Sequence, residues 1–222
     1  MQYKKPVKLK QGDTVAIVSP SWGGPSVFSH VYENGLKILT EWGLKIKEFP
    51  TARMDADFLR ENPQVRAKDI NDAFSDPEVK AIFASIGGDD SVRILPFVDK
   101  NIVAKNPKIL MGYSDTSTLH VFANLQGLVS FYGPSIMAGF SQMENLPESF
   151  KSHVHDILFE PKENYEYKAY GKYCDGYLDW SDKENLGKTK PIKTDDGWHW
   201  LQGNAKVQGE LFGGCIEVLE MM

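Results

Sequence analysis

Cysteine is nearly missing from this 222-residue chain, which carries only Cys174 and Cys215. Two unpatterned cysteines support neither a disulfide framework nor a zinc site. Long apolar runs are missing too, since no stretch approaches the roughly 20 residues that cross a bilayer. The start, Met1 to Pro6, has no apolar core of a signal peptide. No block of like charge is long enough to lie against a membrane surface. The net charge of −5 lacks the basic footprint of a nucleic-acid partner. Repeats and low-complexity tracts are absent. What is present is ordinary globular material, 41% hydrophobic and 12% aromatic, enough for a packed core. The expectation is a soluble cytoplasmic protein without nucleic-acid or membrane partners, its length suiting one large domain or one domain plus part of another.

Thr14 to Ser19 reads as a buried strand of the parallel type, followed by a loop from Pro20 to Pro25. Apolar residues at Val27, Val31, Leu36 and Leu39 predict a helix from Val27 to Trp42, ending at Gly43. Leu44 to Phe49 reads as a second strand, and Pro63 to Ser75 as a helix with proline in its first turn. Val79 to Ile86 is a third strand, closed by Gly87-Gly88-Asp89-Asp90. A short helix around Ser91 to Phe97 and a polar connection lead to a fourth strand, Lys108 to Met111. A helix from Thr116 to Leu125 and a strand from Val129 to Tyr132 follow. This alternation predicts βαβ units, an α/β fold with a doubly wound, mostly parallel sheet. The character changes after Leu158. Residues 1–159 read as the sheet domain, 160–205 as a linker with long loops, and 206–222 as the start of a smaller β-rich second domain. In that last part Val207 to Phe212 is a strand candidate, Gly213-Gly214 a turn, and Cys215 to Met222 the first turns of a helix.

In such sheets ligands bind beyond the carboxyl ends of the strands. Three loops fall there: Ser19 to Pro25, Gly87 to Asp90, and Gly112 to Asp115. The last is a tight strand-to-helix turn with Ser114 at its apex. It resembles a nucleophile elbow, although Thr116 stands where G-x-S-x-G has its last glycine. Equally open is a plain helix cap by Ser114 or Asp115. Backbone N–H groups at Gly87-Gly88 either complete an oxyanion hole or only make a tight turn. Asp89 and Asp90 either position a substrate ammonium or cap the next helix.

A serine nucleophile needs a base, usually a histidine held by a carboxylate. None of the five histidines fits convincingly. His120 lies on the helix after Ser114 and is expected to point away, on the surface or half-buried. His153 and His155 sit on a helix expected to be exposed, and His30 begins a distant one. His199 lies between Trp198 and Trp200, where strand alternation explains it equally well. Trp180, Trp198 and Trp200 read as packing residues of an all-β second domain. Trp180, in a polar loop, is also the best candidate to stack on a planar ligand.

As a set, five pieces resemble the LD-carboxypeptidase family of serine peptidases, in particular its microcin C immunity branch. They are Val15 to Ser21, Ser85 to Arg93, Gly112 to Thr116, Tyr132 to Ser135 with Met137 to Phe140, and Gly209 to Gly214. The resemblance implies a Rossmann-like N-terminal domain, with Ser114 as nucleophile and the N–H groups of Gly88 and Asp115 as oxyanion hole. It places Gly87, Asp89, Asp90 and Trp180 at the substrate, Trp180 on its nucleotide part. No metal or cofactor is implied. The family's catalytic Glu and His follow the segment matched by Gly213-Gly214, so both are expected beyond Met222. The chain is thus expected to be an N-terminal fragment, inactive alone, exposing apolar surface around Leu211, Phe212 and Val218.

The implied substrate is a small peptide or peptidyl-nucleotide amide of the microcin C type, and family habit implies a homodimer. A murein tetrapeptide ending in D-Ala is the alternative substrate. A non-catalytic Rossmann-like binding module is the alternative of another class.

Overall fold

The computed structural model describes residues 3–203 and 206–222. Asn204 and Ala205, the end of the expected linker, lie outside the described residues, as do Met1 and Gln2. The chain begins with β1 (Thr14–Val18), α1 (Gly24–Val27), α2 (Ser29–Glu41) and β2 (Lys45–Glu48). It continues through α3 (Ala56–Glu61), α4 (Pro63–Ser75), β3 (Val79–Ala84), α5 (Lys100–Lys105) and β4 (Ile109–Gly112). Next come α6 (Ser117–Leu125), β5 (Phe131–Tyr132) and α7 (Glu148–Phe159). The five strands pair in parallel in the order β2-β1-β3-β4-β5.

Both sheet faces are covered, as the unbroken apolar runs require. Alternate side chains of β1 go to opposite cores. Val15 and Ile17 meet Val31, Tyr32, Leu36 and Leu39 of α2, while Ala16 and Val18 meet Ala67, Ile70 and Phe74 of α4. The 3₁₀ turn Ser91–Phe97 replaces the short helix expected there. Two further helices arise, α5 where the sequence reads as a polar connection and α3 in a stretch that the sequence reading leaves unassigned. Asp55 caps α3 by accepting from Phe58 N at 2.8 Å, and Asp99 caps α5 through Asn101 N and Ile102 N. The strand order reverses between β1 and β3, so the loops after these two strands diverge around a crevice. A 2.6 Å hydrogen bond between Ser19 Oγ and Ser85 Oγ joins the two strand ends below it.

Beyond α7 the sheet pattern ends. A two-strand antiparallel ladder, β6 (Lys172–Tyr173) with β7 (Lys193–Thr194), is the small sheet that follows the main one. Trp198, His199 and Trp200 lie in no strand. Trp198 and Trp200 are exposed rather than packed. Val207 to Phe212 is likewise not a strand; no partner strand pairs with it among the described residues, and an unpaired strand gains no ladder. Leu211 and Phe212 are exposed as expected, but Val218 is buried. It sits in α8 (Ile216–Glu220), which packs on α6, and Cys215 N donates to Ser117 Oγ at 2.8 Å.

Gly35, inside α2, faces the backbone of Ile136 so closely that a Cβ would overlap the Ile136 carbonyl oxygen. Gly35→Ala should therefore destabilise the fold by about 1–3 kcal/mol through overpacking, although alanine is the better helix former by about 1 kcal/mol. Urea denaturation measures the sign; a gain in stability would refute the contact.

Candidate active site

Ser114 stands between β4 and α6 with φ at +57°, the one non-glycine residue with positive φ among the described residues. Such a conformation costs about 1–2 kcal/mol for an L-residue, so the surroundings must hold it. The phenol of Tyr132, at the end of β5, accepts Ser114 N–H at 3.1 Å. Gly112 lets the helix sit close, since a Cβ there would come within 2.8 Å of both Thr116 Oγ1 and Cγ2. The bulk that Thr116 adds at the position of the usual glycine is thus accommodated by the absence of a side chain at Gly112.

Gly87 leaves space in front of the serine. A Cβ there would lie 3.1 Å from Ser114 Cβ, 3.3 Å from its Oγ and 3.4 Å from Asp115 N. Gly88 backs onto Ser21, whose hydroxyl would overlap any Cβ at that position. Neither the Gly88 nor the Asp115 N–H is paired with an acceptor among the described residues. Ser114 is half-buried, and a free N–H beside its hydroxyl, such as that of Asp115, can stabilise negative charge developing on a carbonyl oxygen.

The side chain of Asp115 does not cap the helix. It is buried and turned to the neighbouring loop, accepting from Asp90 N at 3.1 Å, Ser91 N at 2.8 Å and Ser91 Oγ at 2.8 Å. Asp90 is held from behind by Arg66, fully buried in α4, with Nη1 to Oδ1 at 2.8 Å and Nη2 to Oδ2 at 3.2 Å. Arg93 adds a third contact to Asp90 at 3.4 Å. The Asp90 carboxylate is therefore occupied, whereas Asp89 is exposed and makes no ion pair among the described residues. Sequence reasoning missed Arg66, a charge on the apolar face of α4.

His120 departs from expectation. It is buried and reaches back to the elbow, its Nε2 2.8 Å from Gly112 O and its Nδ1 2.9 Å from Ser130 Oγ. Burial lowers its pKa to about 4, so it is neutral and structural. His30 Nε2 binds Trp180 O at 3.0 Å. His153 meets the Tyr170 phenol, His155 stacks on Phe159, and exposed His199 lies 3.2 Å from Asp196. None of them hydrogen-bonds Ser114.

Trp180 is half-buried, edge-on to Phe28 at 5.8 Å and tilted against Tyr177 at 5.5 Å. The phenols of Tyr177 and Tyr113 are in hydrogen-bond contact. Burial, aided by Tyr177, raises the Tyr113 pKa and keeps that phenol protonated. Tyr113, Tyr132, Phe150, Tyr170 and Tyr177 wall a cavity of about 420 Å³ on one side of the elbow. On the other side a cleft of about 410 Å³ opens between Trp22, Arg60 and Asp89. Among the described residues no cluster of His, Cys, Asp and Glu is placed to hold a metal, and no helix is long and apolar enough to cross a membrane.

Residues 15–133 match the LD-carboxypeptidase N-terminal domain family. The chain is 29% identical over 215 residues to the microcin C7 self-immunity protein MccF of Escherichia coli, covering 95% of this chain and 61% of MccF. It is 34% identical over 133 residues to the "Probable murein peptide carboxypeptidase" of Bacillus subtilis, covering 60% and 41% of the two chains. An MccF-like protein from Streptococcus pneumoniae, solved with AMP, superimposes with a TM-score of 0.83 at 31% identity, over 94% of this chain and 62% of that one. MccF in complex with aspartyl sulfamoyl adenosine gives 0.81 at 27%, over 97% and 64%. The chain spans 61–64% of the length of two curated relatives that align with nearly all of it.

Two outcomes follow from the buried groups. Asp115→Ala strands three donors and should cost about 2–4 kcal/mol in denaturant unfolding; a loss under about 0.5 kcal/mol would show that the carboxylate ties nothing. Below pH 6.5 the unfolded chain protonates His120, whereas the folded chain does not until about pH 4. Stability should fall across that window, and His120→Gln should flatten the fall when unfolding is measured from pH 7 to pH 4.

Proposed function

Because this chain belongs to the LD-carboxypeptidase family, we propose that it acts as a serine carboxypeptidase-type hydrolase with Ser114 as nucleophile. The observation that carries this reading is the positive φ of Ser114 at a turn where Gly87 leaves open space against its hydroxyl. Ser114 Oγ attacks the scissile carbonyl carbon, and the N–H groups of Gly88 and Asp115 receive the oxyanion. The amine departs, and water then releases the acyl group from Ser114. Each such donor contributes roughly 10²–10³ in rate.

The proton of Ser114 needs an acceptor, and every histidine described above is engaged elsewhere or pairs with another acid. On this reading the base and its orienting carboxylate are a His and a Glu that none of the described histidine contacts supplies, and the described residues alone are expected to be inactive. The proposed substrate is a peptide or aminoacyl-nucleotide amide, as in microcin C self-immunity. MccF matches nearly the whole chain, and the relatives solved with AMP and aspartyl sulfamoyl adenosine share its fold. Asp89 faces the ammonium or amide end, with Gly87 keeping the approach open. Asp90 acts through Arg66 and the loop it holds. Trp180, fixed by His30 and Phe28, borders the nucleotide end. Cytoplasmic location and a homodimer belong to the same proposal. The murein tetrapeptide remains the second substrate, favoured by the 34% identity to the Bacillus subtilis protein.

The test is hydrolysis of aspartyl sulfamoyl adenosine and of a murein tetrapeptide ending in D-Ala. The chain is assayed alone and joined to the segment that the Streptococcus pneumoniae relative carries beyond the matched region. The joined protein should release aspartate, and Ser114→Ala should lower that rate by roughly 10⁴-fold or more. Turnover by the chain alone would remove the need for an outside base. Cleavage of the murein peptide only would reverse the substrate order, and full activity of Ser114→Ala would refute the nucleophile.

A further inference from the structure

The cleft of about 410 Å³ lies where the strand order reverses. Ser21 and Trp22, after β1, form one wall; Gly88, Asp89 and Asp90, after β3, form the other; Ala56 and Arg60 of α3 close the end. In open α/β sheets this crevice is the preferred ligand position. Its charge inventory is specific. Asp90 is saturated by Arg66 and Arg93. That leaves one cation, Arg60, and one anion, Asp89, both exposed and without an ion-pair partner among the described residues. Trp22 is half-buried, edge-on to Phe28 at 6.2 Å, and gives the cleft an apolar wall. Gly88, which lines the cleft, is also the residue whose N–H the hydrolase reading assigns to the oxyanion.

An unpaired cation and an unpaired anion in one small cleft complement a ligand that carries both charges. We propose that this crevice is the subsite for an amino-acid group, of the substrate or of the released product, that bears a carboxylate and an ammonium. Arg60 binds the carboxylate, which its planar fork of donors matches. Asp89 binds the ammonium, and the Trp22 ring covers the carbon skeleton. The subsite rests on the hydrolase reading for the place of the scissile bond, but the binding itself does not need turnover.

Two sources share this chemistry. The residue released from a peptide C-terminus has an α-carboxylate and an α-ammonium, whereas an aspartyl group attached through its α-carbonyl has an α-ammonium and a side-chain carboxylate. Isothermal titration of the 222-residue chain with D-alanine and with aspartic acid α-amide separates them. At least one probe should bind, D-alanine pointing to the released residue and the α-amide to the aspartyl group. Arg60→Gln and Asp89→Asn should each weaken that binding by about tenfold or more, as for a lost charged hydrogen bond. Ser114→Ala should bind as wild type. Both charged side chains are exposed, and an unchanged thermal unfolding midpoint confirms that each variant is folded. Binding of neither probe, or binding that both folded charge variants retain in full, overturns the subsite. A chain that binds the probe but whose joined form never hydrolyses either substrate refutes the hydrolase reading and leaves the subsite standing.

Discussion

The Asp115 carboxylate bonds to the start of the turn after β3 while its own backbone forms the turn after β4. The ladder between these strands pairs Ala81 with Ile109, Ile82 with Leu110 and Phe83 with Met111, and goes no further. Past that point the main chains have no mutual bonds to fix their separation. The carboxylate supplies them, through Asp90 N, Ser91 N and the Ser91 hydroxyl, and Arg66 secures Asp90 from the other side. The spacing around Ser114 depends on that link, because Gly87 on one turn sits against Ser114 and Asp115 N on the other.

The strain at Ser114 is held by ordinary means. Tyr132 occupies its N–H, His120 binds the carbonyl of Gly112 just before it, and the missing side chain of Gly112 lets Thr116 sit against the strand. These partners come from β5, α6 and β4, so the turn is braced from three directions. A backbone conformation of higher energy persists only when its surroundings over-determine it in this way.

Much of the sheet was legible in the sequence, because strands buried on both faces leave unbroken apolar runs and the helices between them keep a regular spacing. The helix Pro63–Ser75 has the predicted ends, its proline marking the start. The tight turn with Ser114 at its apex was legible as well, from the strand and helix that flank it. The role of Asp115 was not, since its partners lie 24 and 25 residues away and local reasoning offers only a cap. His120 was misplaced because it was counted as six residues after Ser114 along one continuous helix. The α-helix begins at Ser117 after a 3₁₀ turn, which brings His120 back toward Gly112. The apolar residues from Val207 to Phe212 read as a strand because a pattern carries no information about whether a neighbour exists to pair with it.

The aromatic row from Phe28 through Trp180 and Tyr177 to Tyr113 joins two bodies of unequal cohesion. Among the described residues no main-chain hydrogen bond links residues 161–203 to the sheet domain. The attachments run through side chains: His30 to Trp180, Asn145 to Gly187, Ser149 and His153 to Tyr170. Amide protection in this excursion is then set by a local opening equilibrium rather than by global unfolding. The wall it lends to the tyrosine-lined cavity exists only in the closed population. A ligand seated there spends part of its binding free energy on selecting that population, and its apparent affinity reports the closed fraction as well as the fit.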